Sequence, residues 1–262
     1  MLLINLRGDL KFMEDWTIAE EFTLPSKGKV YSQDVNPNIK IRSMTTEEEM
    51  KRLGHSPYIY KMFSNIIDDC LVEKPNISTY DMCIGDYQFL LYKLRSVTYG
   101  PDYEVATMCP HCGNKNTIKV NLDKLKTNSF EDSMKKYMEF ELPVSKKLIK
   151  LKLQTPRMLD EVNRKTKELQ EHSSDIDSEP AILFNVVSLI ETIDGQVISE
   201  QKLENFVRKL PMKDTNFILQ NSKKLIMGIG IDTTISHTCE SCNNEFKLQL
   251  PITGEFFGPS ID

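Results

Sequence analysis

The chain is short of the features that mark membrane, secreted and phosphate-binding proteins. Its longest apolar run, Ala181 to Ile190, is too brief to span a bilayer and is broken by Asn185 and Ser188. No secretory signal is visible, because the apolar stretch Met1 to Leu6 runs directly into Arg7, Gly8 and Asp9. Without such a signal the sequon Asn76-Ile77-Ser78 carries no weight. Positive charge is not in excess: 33 Lys and Arg stand against 38 Asp and Glu, a net charge of −5 with a pI near 5.6. That balance disfavours a nucleic-acid footprint, which needs a basic face. Catalytic signatures are missing as well, with no phosphate loop and no G-x-G-x-x-G, G-x-S-x-G or H-E-x-x-H. The four histidines, His55, His111, His172 and His237, are scattered, and no nucleophile is grouped with a base.

What the chain does have is two short cysteine stretches, Cys109-Pro110-His111-Cys112-Gly113 and Cys239-Glu240-Ser241-Cys242-Asn243. Each is a C-x-x-C pair whose two-residue spacer lets both sulfurs face one ion, and two such pairs fill the four positions of a tetrahedral zinc site. Gly113 and Asn243 follow the second cysteine of each pair, where a left-handed backbone is often required and Gly and Asn tolerate it best. The flanks alternate at period 2: Tyr103, Val105 and Thr107 before the first pair, Ile118 and Val120 after it, Phe246, Leu248 and Leu250 after the second. Two knuckle-bearing hairpins sharing one metal make a zinc ribbon. Between Cys112 and Cys239 lie 126 residues, so a shared ion would clamp a large inserted segment. The alternatives are two unrelated thiol pairs or disulfides, and a thioredoxin-like redox motif, whose usual βαβ setting is absent. His111 and His237, inside and beside the knuckles, are alternate ligand candidates or neighbours of the sulfurs. Cys70 and Cys83 read as buried free thiols in apolar stretches, and thiols without disulfides suit a reducing compartment.

The remaining pattern predicts an α+β protein of 262 residues, enough for one sizeable core or two modest ones. The expected organisation is a β-then-helical region over 1–100, a zinc-ribbon-like module from 101–122 plus 231–252, an inserted α+β domain over 123–230, and a tail over 253–262. Thr45 or Thr46 caps a short helix, with Glu48 or Glu49 at capping-box spacing and Gly54 ending it. Ser56-Pro57 opens a helix carrying Ile59, Met62, Phe63, Ile66, Ile67 and Cys70 on one face. A helix from about 86 to 97 stops at Tyr99-Gly100-Pro101. In the insertion, Phe140, Leu142 and Val144 predict one strand and Ile149, Leu151 and Leu153 another. Thr155-Pro156 caps a helix, and 171–179, with Ser173-Ser174-Asp175, reads as a mobile loop. Ala181 to Ile193 reads as a nearly all-apolar helix, Asp194-Gly195 as a tight hairpin turn, and Ser199 and Asp214 as caps of the last two helices, with Pro211 ending the first of them.

Several ordered pieces of the first half resemble the T4-type bacteriophage baseplate family, the hub-associated protein of contractile tails. They are Leu24-Pro25-Ser26-Lys27-Gly28, Ile41-Arg42-Ser43-Met44-Thr45-Thr46-Glu47-Glu48-Glu49, Gly85-Asp86-Tyr87-Gln88-Phe89-Leu90-Leu91, and Arg95-Ser96-Val97-Thr98-Tyr99-Gly100 running into Cys109 to Gly113. The resemblance implies a hub component or hub-assembly factor in the virion tail baseplate, or in the host cytoplasm during assembly, whose partners are other baseplate and tail proteins. It brings over no catalytic residue. Together with the cysteines it points to a non-enzymatic protein with one structural Zn2+ on Cys109, Cys112, Cys239 and Cys242, no small-molecule substrate and no membrane span. The reading from a different class is a zinc-ribbon nucleic-acid-binding or transcription-type module. The acidic pI opposes it, and Lys115, Lys119 and Lys247 are sparse for a footprint. An enzyme of another type is a third.

Overall fold

The computed structural model describes residues 17–172, 179–252 and 254–258. The stretches Met1 to Leu6 and Ser173-Ser174-Asp175 lie outside them. Helices and small antiparallel sheets alternate along the chain, which makes the protein α+β.

Strand β1 (Ala19–Thr23) pairs antiparallel with β2 (Asn38–Arg42). Between them Lys27 and Gly28 turn the chain with positive φ, and a Cβ on Gly28 would stand 2.3 Å from the Val35 carbonyl oxygen. Helix α1 (Thr46–Leu53) begins with the expected box: Thr45 is the N-cap and Glu48 bonds back to the Thr45 amide at 2.8 Å. Glu48 is also gripped by Arg42 through 2.9 and 3.2 Å hydrogen bonds. Helix α2 (Ile59–Cys70) starts two residues past Pro57, because the Ser56 hydroxyl accepts from the Tyr58 amide and holds that stretch as a turn. Helix α3 (Ile84–Tyr99) is longer than the pattern predicts and is buried on nearly every side. Such a helix has to be the centre of a core. Around it gather Leu24, Ile41, Ile66, Ile67 and Tyr103. From the other end of the chain Phe256 and Phe257 join the same core, and Arg95 donates to the Phe256 carbonyl at 3.1 Å.

After α3 come β3 (Asp102–Met108) and β4 (Lys115–Asn121), then the short β5 (Thr127–Asn128). Strands β6 (Glu139–Glu141) and β7 (Leu148–Leu151) form a hairpin, and α4 (Pro156–His172) follows, its first turn bonded to Thr155. The apolar stretch beginning at Ala181 does not stay helical to Ile193. It is helix α5 (Ala181–Leu189) and then β8 (Ile190–Ile193), which pairs with β7 to complete the three-stranded sheet β6-β7-β8. A buried helix and a buried strand look alike as apolar runs, and here the open edge of β7 decides between them. Asp194 and Gly195 both take positive φ, as a two-residue hairpin turn needs, and Ile193 bridges to Gln196. Val144 lies beyond the shortened β6 and is exposed.

Helix α6 (Glu200–Arg208) packs on α5, and α7 (Met212–Gly228) reaches the sheet where Phe217 meets Phe140. Pro211, not Asp214, occupies the N-cap of α7. Asp214 sits in the first turn, where its carboxylate accepts from the Val144 and Ser145 amides at 2.8 and 2.9 Å. Ser199 is the N-cap of α6 but makes no side-chain cap bond. The chain then returns through β9 (Gly230–Ile231), which pairs with β5, before β10 (Thr234–Thr238) and β11 (Glu245–Gln249). The β5–β9 ladder therefore holds together the two ends of the long segment. Gly85 is required beside it, since a Cβ there would lie 2.3 Å from the Ile229 carbonyl oxygen. A further link crosses from α4, where the buried Asp160 accepts from the Lys61 amide at 2.9 Å and the Tyr80 hydroxyl at 3.1 Å. Asp160 caps the start of α2, whose own N-cap residue, Tyr58, makes no side-chain bond.

Candidate metal centre

The two cysteine stretches fold as the same local structure. The β3–β4 register ends at Met108 opposite Lys115, and the β10–β11 register ends at Thr238 opposite Glu245. Past each end the first cysteine closes a knuckle: Cys109 N–H donates to the Asn114 carbonyl at 2.9 Å and Cys239 N–H to Asn244 at 3.0 Å. Gly113 N–H returns to Cys109 and Asn243 N–H to Cys239, both at 2.9 Å. These tight loops force φ of +76° at Gly113 and +57° at Asn243, which is why glycine and asparagine follow the second cysteines.

The tips meet. All four sulfurs lie within 4.8 Å of one another, with Cys109 to Cys242 at 3.8 Å and Cys112 to Cys239 at 3.7 Å. A disulfide needs sulfurs about 2.05 Å apart, so these are not bonded pairs. A tetrahedral thiolate site with metal–sulfur bonds of about 2.3 Å has sulfur–sulfur edges of about 3.8 Å, which the two cross-knuckle distances match. The four cysteines could therefore hold one metal ion. Neither His111 nor His237 belongs to this cluster. His111 contributes its backbone N–H, 3.4 Å from the Cys109 sulfur, and the His237 ring packs edge-on against Phe246.

The surroundings suit charged sulfur. Cys109 and Cys239 are buried, Cys242 is half-buried and Cys112 is exposed. Backbone N–H groups of Cys242 and Ser241 point at the Cys239 sulfur and lower its pKa to about 6. The Asn114 N–H acts the same way on Cys112, but desolvation and the neighbouring sulfurs outweigh it and raise that thiol to about 12. Four adjacent thiols cannot all ionise unaided, and a divalent cation would displace the retained protons. Asn116 is buried between the knuckles: it accepts from the Glu240 amide at 3.4 Å and donates to the Asn114 carbonyl at 2.9 Å.

Cys70 and Cys83 are both buried free thiols remote from the cluster. Cys70 ends α2 in apolar surroundings, and burial raises it to about 12. Cys83 is not inside a helix but is the N-cap of α3, beside polar groups that periodicity does not bring out. There Asp86 accepts from the Ser26 amide at 2.9 Å, from the Ser26 hydroxyl, and from Tyr31 at 2.6 Å, while Tyr31 accepts from the Cys83 amide at 3.2 Å. Burial pushes the Asp86 carboxyl above its ordinary range despite those donors. A lone acid among the apolar residues of α3 is the sequence signal for such a site. Ser26 and Asp86 lie in two of the stretches singled out above, so one hydrogen-bonded contact joins them.

Neither a curated protein nor a solved structure matches the chain. The family described as T4 bacteriophage base plate protein matches residues 17–258, well past the first half in which the resemblance was visible. With that match covering nearly its whole length, the chain belongs to the T4-type phage baseplate family.

Proposed function

We propose that this baseplate protein is a hub component or hub-assembly factor that acts through protein–protein contacts, with one structural zinc on Cys109, Cys112, Cys239 and Cys242. The observation that supports the zinc is the cluster of four sulfurs, all within 4.8 Å of one another, at the tips of two hairpins far apart in the chain. Four thiolates suit zinc above harder ions, and they leave no position open for a substrate or water. The ion would fix structure and supply no chemistry. In this reading 101–122 and 231–252 form a zinc ribbon, 1–100 and 123–230 are the bodies it orients, and 253–262 is the terminal segment. The protein would act without turnover, in the tail baseplate or in the host cytoplasm during assembly. The hub assignment itself rests on the resemblance carried by Leu24 to Gly28 and Gly85 to Leu91.

Two measurements test it. Protein purified without chelator should carry one zinc per chain, and about two, or none with four free thiols, would remove the shared site. The protein should also co-sediment with tail or hub intermediates. Failure to associate with either would end the hub reading, and a salt-dependent shift of nucleic acid would replace it.

A further inference from the structure

Beside the Asp86 cluster opens a groove of about 770 Å³, within the range of ligand-binding clefts. One wall comes from 29–33 and 76–78, the other from 130–138 and 150–155. Its apolar lining includes Ile77, Phe130, Leu151 and Leu153. Its rim carries Lys29, Lys135, Lys150 and Lys152, an unusual grouping on a chain of net charge −5. The acids beside them are already engaged. Asp81 takes both nitrogens of Arg157 at 2.6 and 2.8 Å, and Glu191 takes Lys150 at 3.1 Å. Lys135 is paired with Asp132. Both Lys29 and Lys152 are exposed; Lys152 has no ion-pair partner among the described residues, and Lys29 lies near enough to Asp132 to lower its pKa without a salt bridge between them. An apolar lining beside Lys29 and Lys152, neither of them in a salt bridge, complements an apolar side chain flanked by carboxylates.

We propose that this groove docks an acidic, extended segment of another baseplate protein, its apolar side chain on Ile77, Phe130 and Leu153 and its carboxylates on Lys29 and Lys152. The inference deepens the hub reading and rests on its premise that the chain works by protein contact. Lys29 lies between β1 and β2 and Lys152 follows β7 inside the long segment, so the occupant would bridge the N-terminal part and that segment. Because the contact is partly ionic and solvent-exposed, added salt weakens it.

The test uses the full chain and a fluorescein-labelled peptide carrying Leu between flanking Asp and Glu residues, with its Asn and Gln counterpart as control. Anisotropy should show the acidic peptide binding roughly tenfold tighter than the neutral one, with reversal of Lys29 and Lys152 removing about that factor. The double variant Lys29→Glu/Lys152→Glu alters only exposed side chains, so its melting temperature should match the native one. The variant Lys115→Glu/Lys247→Glu makes the same change in net charge on the hairpins and should bind as the native protein does. No binding of the acidic peptide, or equal binding by the Lys29/Lys152 variant, overturns the groove. Self-association lost only in that variant, without peptide binding, assigns the groove to a second copy and also overturns the proposal. In the tail co-sedimentation, native protein that joins while the Lys29/Lys152 variant joins equally sinks the groove and leaves the hub reading standing. Peptide binding by a native protein that never joins tails has the opposite meaning.

Discussion

The paired knuckles bury Cys109, Cys239 and Phe246 around the four sulfurs, whereas the segment strung between them packs Leu142, Ile149, Leu151, Val186 and Ile218 into a continuous core. Burying one such aliphatic side chain stabilises by about 1.5–3 kcal/mol, so the segment has a substantial hydrophobic core to hold it without the cysteines. Away from the tips the hairpins lean on the core around α3 through Tyr103, Val105, Ile118 and Leu250, but three buried residues cannot hold the knuckle ends themselves, since two-stranded hairpins are marginal in isolation. The thiol cluster stands where a hydrophobic core would otherwise be. The β5–β9 ladder, the tight fit of Gly85 against Ile229 and the Asp160 cap on α2 close the long segment without the cysteines. Loss of a bound metal should therefore release the knuckle ends of the hairpins and spare the segment, even though the cysteine pairs are 126 residues apart. A thiolate cross-link, unlike a disulfide, does not persist in the unfolded chain, so its contribution is binding energy gained on folding.

The largest expected effect comes from removing one ligand. Cys239→Ser should abolish zinc binding and erase hydrogen-exchange protection at the knuckle ends, 107–116 and 237–246, while the amides of β7, α5 and α7 stay protected. Equal loss of protection in all of them would mean that the two regions are one cooperative unit. The complementary cut is Ile149→Ala, at a fully buried site on the central strand of the β6-β7-β8 sheet. It should lower stability by about 2–5 kcal/mol in denaturant titration and leave zinc content at one per chain. Zinc lost along with the core would show that the hairpins depend on the segment.

A smaller effect concerns Glu48. Desolvation works against its charged form, but the hydrogen bonds from Arg42 and Thr45 prevail and hold its pKa at about 2, below the ordinary 4.5. A depressed carboxylate stabilises the fold above its unfolded pKa, and that contribution fades as pH falls from about 4.5 towards 2. The sign predicts that Glu48→Gln costs roughly 1–3 kcal/mol at pH 7 and much less near pH 2.5, read from denaturation midpoints at both. An unchanged difference across that window would mean that the Arg42 pair contributes nothing through charge. The smallest effect on the metal is expected from Cys70→Ala with Cys83→Ala. Both thiols lie outside the sulfur cluster, so zinc content should hold and stability fall by about 1–2 kcal/mol. Loss of zinc in that variant would show that the ligand set is misassigned.

The knuckles were legible because all of their information is local. Cysteine spacing, a residue tolerant of positive φ after the second cysteine, and strands of period 2 on both sides can each be read within a dozen residues. Thr45 with Glu48, and Asp194 with Gly195, belong to the same class, since a cap or a two-residue turn is specified by neighbours in the chain. Tertiary structure decided the rest. Ile190 to Ile193 became strand because β7 offered an unpaired edge, and four residues ending a nearly all-apolar run are too few to announce that by period. Asp86, Asp160 and Asp214 look alike as acids near helix starts, yet each is buried against backbone amides 60 to 100 positions away. Burial of a polar side chain requires a partner, and which partner arrives depends on how the whole chain folds back. The sequence by itself determined four cysteines at knuckle spacing and the turns that present them. That they converge on one point was set by the packing that brings β10 and β11 beside β3 and β4.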